Sequence, residues 1–396
     1  MREKKAAGML KRLVSKKELA ILGINSGTSA DGVDLALIRF SVTGRKPRIT
    51  YIDGDVVSYS PAVKTILERV IRAGSIDKEE WARLDGAYGD YLGKAAAKFI
   101  SGRKHTVDLI ASHGQTVGHY PLKKALFGSR LSATHQIGDG NALAVVTNLP
   151  VVSDFRRADI ASGGEGAPLT PFVNQMLFGD SRRSRIIVNI GGIANYSYHP
   201  AGGRLSAIRG GDCGPGNILS DLATRLLFHK QYDPDGALAR KGQIVPELIT
   251  PIRKANRKRG VSAGREQFDI YLLARLVHMA RRLKAGKHDI IASIGDATAR
   301  LIHSSIKSCL TDKRLDGVYL TGGGRRNIFM VERLQKLCSP VKLWPIEALG
   351  YDGDLLEAVS FAVLGGCFVH GISSALPQIT GGGGVAGKLS LPPGVQ

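Results

Sequence analysis

"GINSGTSADGVD", Gly23 to Asp34, sets glycines, hydroxyl and amide side chains and the aspartates Asp31 and Asp34 between two apolar runs, "LAIL" (19–22) and "LALIRF" (35–40). The pattern predicts two β-strands joined by a tight, polar turn. Such a turn presents backbone N–H groups in succession, a nest that binds anions and above all phosphates, with hydroxyl donors available from Thr28 and Ser29. Asp31 and Asp34 would repel a bare phosphate, so one of them faces a cation or is turned away. A plain hairpin with Asx-type turn bonding accounts for the same residues.

Outward from this turn, the pattern predicts another strand near 49–57, then helices at "PAVKTILERVIRAG" (61–74) and "DKEEWARLDGAYGDYLGKAAAKFISG" (77–102). "VDLIASHGQTVGHYP" (107–121) reads as a strand delivering a polar loop, and "ATHQIGDGNALAVVTNLPVVSDF" (133–155) as strand, glycine turn, helix and strand. A second strand–turn–strand unit, "SRIIVNIGGIANYSYHP" (184–200), echoes the first. It is followed by the glycine turn and helix of "GGDCGPGNILSDLATRLLF" (210–228), and by helices across 267–284 and 288–309. "GVYLTGGGRRNIFMVERLQKL" (317–337) gives a buried strand, a triple-glycine turn and a helix, and the chain closes with a helix over 354–369 and a glycine-rich tail. Two halves that each open on a strand–glycine-turn–strand unit predict a duplicated α/β fold with a ligand cleft between the halves. The expected division is a basic tail over 1–18, one domain from 19–155 with 370–396, and a second from 156–369.

A chain of 396 residues with a 43% hydrophobic share suits two domains of ordinary size. Its apolar runs are broken before the roughly 18 to 20 residues that span a bilayer, so no transmembrane segment is expected. The N-terminus "MREKKAAGMLKRLVSKKELA" is basic but lacks the apolar core and cleavage site of a secretory signal, and reads as a solvated tail. Cys213, Cys309, Cys338 and Cys367 show neither CxxC pairing nor zinc spacing, which fits reduced thiols in a cytoplasmic protein. The formal net charge of +21 arises largely from clusters at 1–17, 181–185 and 251–260 with little aromatic content. It fits a general attraction for phosphorylated ligands, or a basic nucleic-acid-binding or regulatory protein.

Other segments carry candidate chemistry. "VNIGGIAN" (188–195) and "LTGGGRRN" (320–327) are glycine turns after apolar strands, suited to phosphates and to a flat adenine and ribose; neither matches a Rossmann or P-loop pattern. Asp212, in "DCGPGN", is either a general base held in a rigid turn or the N-cap of the following helix. "SDFRRADIASGGEGAPL" (153–169) offers arginines for a carboxylate or phosphate, or a surface ion-pair network. His113, in "ASHGQT", is a structural histidine or a ligand contact.

Taken together, these segments resemble the anhydro-N-acetylmuramic acid kinases and, beside them, the levoglucosan kinases. The motifs run in order from "GINSGTSADGVD" through "ASHGQT", "HQIGDG", "PVVSDFRRADIASGGEGAPLTP", "VNIGGIAN", "DCGPGN", "YDPDGALARKG", "SAGREQF", "LTGGGRRN" and "GYDGDLLEAVSFAVL" to "PQITG". The resemblance implies a two-lobed, ribonuclease H-like fold of the sugar kinase, hexokinase and actin superfamily. It implies a cytoplasmic, homodimeric phosphotransferase that opens 1,6-anhydro-N-acetylmuramic acid with water and phosphorylates O6 from MgATP, giving N-acetylmuramate 6-phosphate in peptidoglycan recycling. A kinase for another anhydro-sugar, such as levoglucosan, is the alternative. Carried onto this chain, it makes Asp212 the catalytic base and assigns Gly27, Thr28, Ser29, Asp31, Gly32, Asp34, Gly191, Gly192, Gly322, Gly323, Gly324 and Asn327 to the nucleotide. His113, Asp154, Arg156 and Glu165 fall on the sugar, and Asp31 with Glu357 on Mg²⁺. Glu165 stands where the family usually has Gln, Ala263 replaces a Thr, and Ala30 replaces a larger apolar residue.

Overall fold

A computed structural model describes residues 2–27, 31–44, 46–103, 105–256, 267–309 and 315–393. The chain forms two compact units, Met1–Leu177 with Leu355–Gln396, and Phe178–Asp354. The first opens with α1 (Arg2–Ser15), the antiparallel meander β1 (Glu18–Ser26), β2 (Gly32–Thr43) and β3 (Lys46–Ser58), and the helices α2 (Pro61–Arg72) and α3 (Lys78–Arg103). It continues with β4 (Leu109–Leu126), β5 (Ser129–Ile137), α4 (Gly140–Thr147), β6 (Val151–Ser153), α5 (Phe155–Ala161) and α6 (Thr170–Phe178). The second unit holds β7 (Arg185–Ile190), β8 (Ile193–His199), β9 (Arg209–Pro215), α7 (Ile218–Phe228), α8 (Pro246–Ala255), α9 (Ile270–Arg282), α10 (Lys287–Cys309), β10 (Gly317–Thr321), α11 (Ile328–Cys338) and β11 (Leu343–Pro345). The chain then returns to the first unit with α12 (Leu356–Val369), α13 (Pro377–Thr380) and β12 (Lys388–Ser390).

Both sheets contain the same arrangement. The meander β1–β2–β3 is answered by β7–β8–β9, and each first strand has a parallel neighbour, β4 or β10, which pairs in turn with β6 or β11. This repeated order is the duplicated α/β topology expected from the echoing hairpins.

β1 is buried along almost its whole length because both faces of its sheet are covered, which is why it reads as a continuous apolar run. Alternation sends Leu22 and Ile24 into a core with Leu92, Ala96 and Phe99 of α3. The opposite face meets α12, whose apolar residues are buried nearly all round. Small residues let this helix lie close. A Cβ on Gly23 would stand 1.9 Å from the Ala358 carbonyl oxygen, and one on Gly365 would stand 2.7 Å from Ala111 Cβ.

Several expectations change. α12 packs on β1, β2 and β4, so it belongs with the N-terminal unit, and the boundaries fall at 177/178 and 354/355 rather than 155/156 and 369/370. The basic N-terminus is not simply a solvated tail. It includes α1, Leu13 is buried, and Lys16 pairs with Asp108, whose other oxygen accepts from the Ala20 N–H. β4 runs on through the stretch read as a polar loop, because β5 pairs with its outer half. The turn expected around Asp212 is strand β9, with Asp212 opposite Asn195, so the N-cap reading falls: Asn217 occupies the position before α7.

His119 sits on β4, where burial first and the charge of Arg156 second push its pKa down to about 4. A histidine ordinarily titrates at about 6.5, so the unfolded chain takes up a proton that the folded chain refuses, and stability is lost as pH falls from about 6.5 towards the folded value. We expect the melting temperature to fall between about pH 7 and about pH 5 by more in the wild type than in His119→Gln, as thermal melts at both pH values would show. Equal losses would contradict this account of the site.

Candidate active site

In the first unit the β1–β2 turn positions a polar group that the sequence reading only partly named. Asn25, buried, lies opposite Asp34 in the hairpin register, and its Nδ2 donates to Asp34 Oδ2 (3.2 Å) and to Glu357 Oε2 (2.9 Å) at the start of α12. One amide thus joins two carboxylates supplied by segments far apart in the chain. Ser26 Oγ, also buried, bonds the Tyr59 hydroxyl (2.6 Å) and donates to Gln115 Oε1, fixing the strand end from which Gly27 leaves. Gly32 starts β2 opposite Ser58, where a Cβ would stand 2.7 Å from the Val57 carbonyl oxygen. Thr28 and Ser29 lie outside the described residues, as does Ala30. The Asp31 side chain is 66% exposed and pairs with Lys64. Of the two carboxylates assigned to the magnesium side, Glu357 thus meets the Asn25 amide and Asp31 meets Lys64.

β4 and α5 bring His113 and Arg156 together. Arg156 Nε donates to His113 Nε2 at 2.8 Å, while His113 Nδ1 donates to the Gly114 carbonyl at 3.1 Å. This pattern requires the neutral imidazole protonated on Nδ1. Burial, and then the neighbouring guanidinium, hold the His113 pKa well below the ordinary histidine value. The ring stacks on Phe361 of α12, with centroids 4.3 Å apart. Arg156 Nη1 donates to the Gly166 carbonyl at 3.0 Å. Burial pulls the Arg156 pKa down, and the carboxylates of Glu357 and Asp159 pull it back. The result is a neutral imidazole and a cation held on one wall with a carboxylate within electrostatic reach, a set that suits a polar or anionic ligand.

Of the two readings of this loop, the surface ion-pair network accounts for only part of it. Asp154 stands in the left-handed region at φ 59°, and its carboxylate faces Arg157 at 3.7 Å. Asp159 is buried and bonded inward, and Glu165 is tied by its backbone N–H to the Thr380 carbonyl at 2.8 Å.

In the second unit the glycine turns meet one another. Gly216 N–H donates to the Gly192 carbonyl (2.9 Å) and Asn217 N–H to the Gly191 carbonyl (2.8 Å). A Cβ on Gly216 would stand 2.1 Å from the Gly191 carbonyl oxygen, and one on Gly324 would stand 2.2 Å from Ile190 Cγ2. Gly322, at φ 76°, approaches the Asn189 amide oxygen so closely that a side chain has no room. "VNIGGIAN", "DCGPGN" and "LTGGGRRN" are thus one backbone-lined surface, with Gly323 in its short helical turn. β9 leads into this surface, and Asp212 lies on that strand two residues before Gly214. Asn327 has a structural task, because its Oδ1 accepts from Met330 N–H and caps α11.

A family model described as anhydro-N-acetylmuramic acid kinase matches residues 19–388, a span containing every candidate residue above. The chain belongs to that family. A relative from Microcystis aeruginosa named anhydro-N-acetylmuramic acid kinase is 36% identical over 92% of this chain and 97% of its own. One of the same name from Caldanaerobacter subterraneus is 31% identical over 96% and 99%, and one from Bacillus cereus is 32% identical over 94% and 99%. Membership makes the chain a kinase, a phosphotransferase with an alcohol group as acceptor.

Within this anhydro-sugar kinase family assignment, Glu165 stands on the loop that Arg156 grips through Gly166, whereas Ala263 lies outside the described residues. Residues absent from the sequence-based set are Asn25, Gln115, Asp159, Asn217 and Thr380. Asn25 was within reach of the sequence, since hairpin register places it opposite Asp34. Asp159 and Thr380 are 221 positions apart, and no local pattern joins them.

Proposed function

We propose that the protein uses ATP to open 1,6-anhydro-N-acetylmuramic acid with water and to phosphorylate O6, giving N-acetylmuramate 6-phosphate and ADP in cell-wall recycling. The observation that carries this reading is the family match over 19–388 with Asp212 and the glycine turns intact inside it. Asp212 removes a proton from the water that attacks C1. The C1–O6 bond breaks, and O6, released as the leaving group, attacks the γ-phosphoryl group in line as ADP departs. His113 and Arg156 hold the sugar, with Asp154 and Glu165 on the neighbouring loop. Gly191, Gly192 and Gly322 to Gly324 receive the nucleotide through their backbone, as does the turn from Gly27 to Asp34.

Magnesium fits the donor set in part. Glu357 and Asp34 share the Asn25 amide, whereas Asp31 is engaged by Lys64, and no cluster of three or more metal-ligating side chains exists among the described residues. That sparseness suits Mg²⁺, which keeps several waters and takes one or two carboxylates together with phosphate oxygens. Glu357 remains the magnesium-side carboxylate, with Asp34 in the place first given to Asp31. When bound, the ion would neutralise charge on the transferring phosphoryl group.

No helix among the described residues is long and apolar enough to cross a membrane. By its resemblance to the family, we propose that the enzyme acts in the cytoplasm as a homodimer. A comparison of kcat/KM for 1,6-anhydro-N-acetylmuramic acid and levoglucosan with MgATP tests the substrate. We expect a preference of about a hundredfold or more for the muramic sugar, because polar groups built for its side chain are left unpaired by an analogue lacking it. Equal or reversed efficiency would contradict the substrate assignment.

A further inference from the structure

Asp159 is 1% exposed, yet it lies on a short helix beside a glycine-rich loop and makes no ion pair among the described residues. Its hydrogen bonds come from neutral donors, while its charge reaches Arg156 only through space. Oδ2 accepts from Gly166 N–H at 2.8 Å, and Oδ1 accepts from the Thr380 hydroxyl at 2.8 Å. Glycines flank it closely: a Cβ on Gly164 would stand 2.2 Å from Oδ2, and a Cβ on Gly382 would stand 2.2 Å from Oδ1. Further bonds close the same joint. Glu165 N–H donates to the Thr380 carbonyl, Gly383 N–H donates to Ser162 Oγ at 2.8 Å, and Gly164 N–H donates to the Asp159 carbonyl. Two loops, one from each chain segment of the first unit, are therefore locked on one buried carboxylate.

The lock leads to the sugar side. The residue whose N–H Asp159 holds, Gly166, is also the one whose carbonyl, on the next peptide, accepts from Arg156 Nη1, and Arg156 Nε in turn holds His113. We infer that Asp159, with Thr380, is a positioning residue for the anhydro-sugar: by fixing Gly166 at its N–H it places the Gly166 carbonyl that sets the direction in which the Arg156 guanidinium is aimed. Removing the Thr380 hydroxyl loosens Asp159 and with it Gly166 without emptying the core, and a shift of about an ångström in a substrate-holding group can cost on the order of a hundredfold. The inference rests on the assignment of Arg156 and His113 to the sugar proposed above.

Thr380→Val tests it with the least disturbance, Thr380→Ser restores the hydroxyl, and Asp159→Asn removes the charge at the lock itself. In Thr380→Val we expect KM for the anhydro-sugar to rise about tenfold or more while KM for ATP stays within about twofold, and Thr380→Ser to return it to near the wild-type value. A second measurement needs no substrate: NMR of the ligand-free protein should show the Arg156 Nε–H, identified by its loss in Arg156→Lys, exchanging with water faster in Thr380→Val and Asp159→Asn than in the wild type. Unchanged exchange in both variants would overturn the inference, as would equal rises in KM for sugar and ATP. Faster exchange with an unchanged sugar KM would support the positioning of Arg156 and overturn instead the assignment of the sugar to it.

Discussion

Asp212→Asn is expected to lower kcat by on the order of 10² to 10⁴, the range that a positioned general base contributes. The substitution keeps the size and hydrogen-bonding shape of the side chain but removes its ability to take a proton. Its backbone is fixed by pairing with β8 in a register where Asp212 faces Asn195, so the strand has no reason to move. The nucleotide is assigned to backbone groups around Gly191, Gly192 and Gly322 to Gly324, which lie on other segments of the unit. ATP affinity measured by calorimetry should therefore stay within about twofold, and a loss confined to turnover marks an interaction made in the transition state. A fully active Asp212→Asn enzyme would remove Asp212 from the base role.

Gly23→Ala is expected to destabilise the first unit by about 3 kcal/mol or more, at the upper end of what overpacking a core costs. The new methyl group would meet the backbone of α12 at Ala358 and the Ala362 side chain rather than a flexible chain end. Relief requires the helix to lift from β1, where it is buried on nearly every side. Because α12 also carries Glu357, which meets Asn25, and Phe361, which stacks on His113, activity should fall along with stability. Urea unfolding gives the first quantity and turnover the second. A variant with wild-type stability would contradict the close helix–strand packing.

The duplicated fold was legible because its cause is local: each half opens on apolar, β-rich segments interrupted by a glycine turn, and the second repeats the first. The glycine turns of the second unit were legible as separate elements, and their convergence at Gly191, Gly216 and Gly324 follows from the strand order that the repeat implies. The placement of α12 was not legible, because an all-round apolar helix can be buried in either unit; its glycine face decides, and only the matching Gly23 and Ala111 of the sheet reveal that. The pairing of Asp31 with Lys64 was not legible, because composition cannot show which lysine of α2 faces the turn. Asp212 was placed in a turn because its run of glycines and a proline reads as punctuation, whereas β8 pairs with it as a strand. The Asp159–Thr380 lock joins positions 221 residues apart, and only folding brings its halves together.

The central claim, that this kinase couples ring opening to phosphoryl transfer, is tested most directly by incubating the purified protein with MgATP and 1,6-anhydro-N-acetylmuramic acid in isotopically labelled water and resolving the product by mass spectrometry. The account predicts a ring-opened 6-phosphate bearing one labelled oxygen on the sugar at C1 and none in the phosphoryl group, with ADP formed in equal amount. Label in the phosphate, phosphorylation with the anhydro bridge intact, or no phosphorylated sugar at all would contradict it.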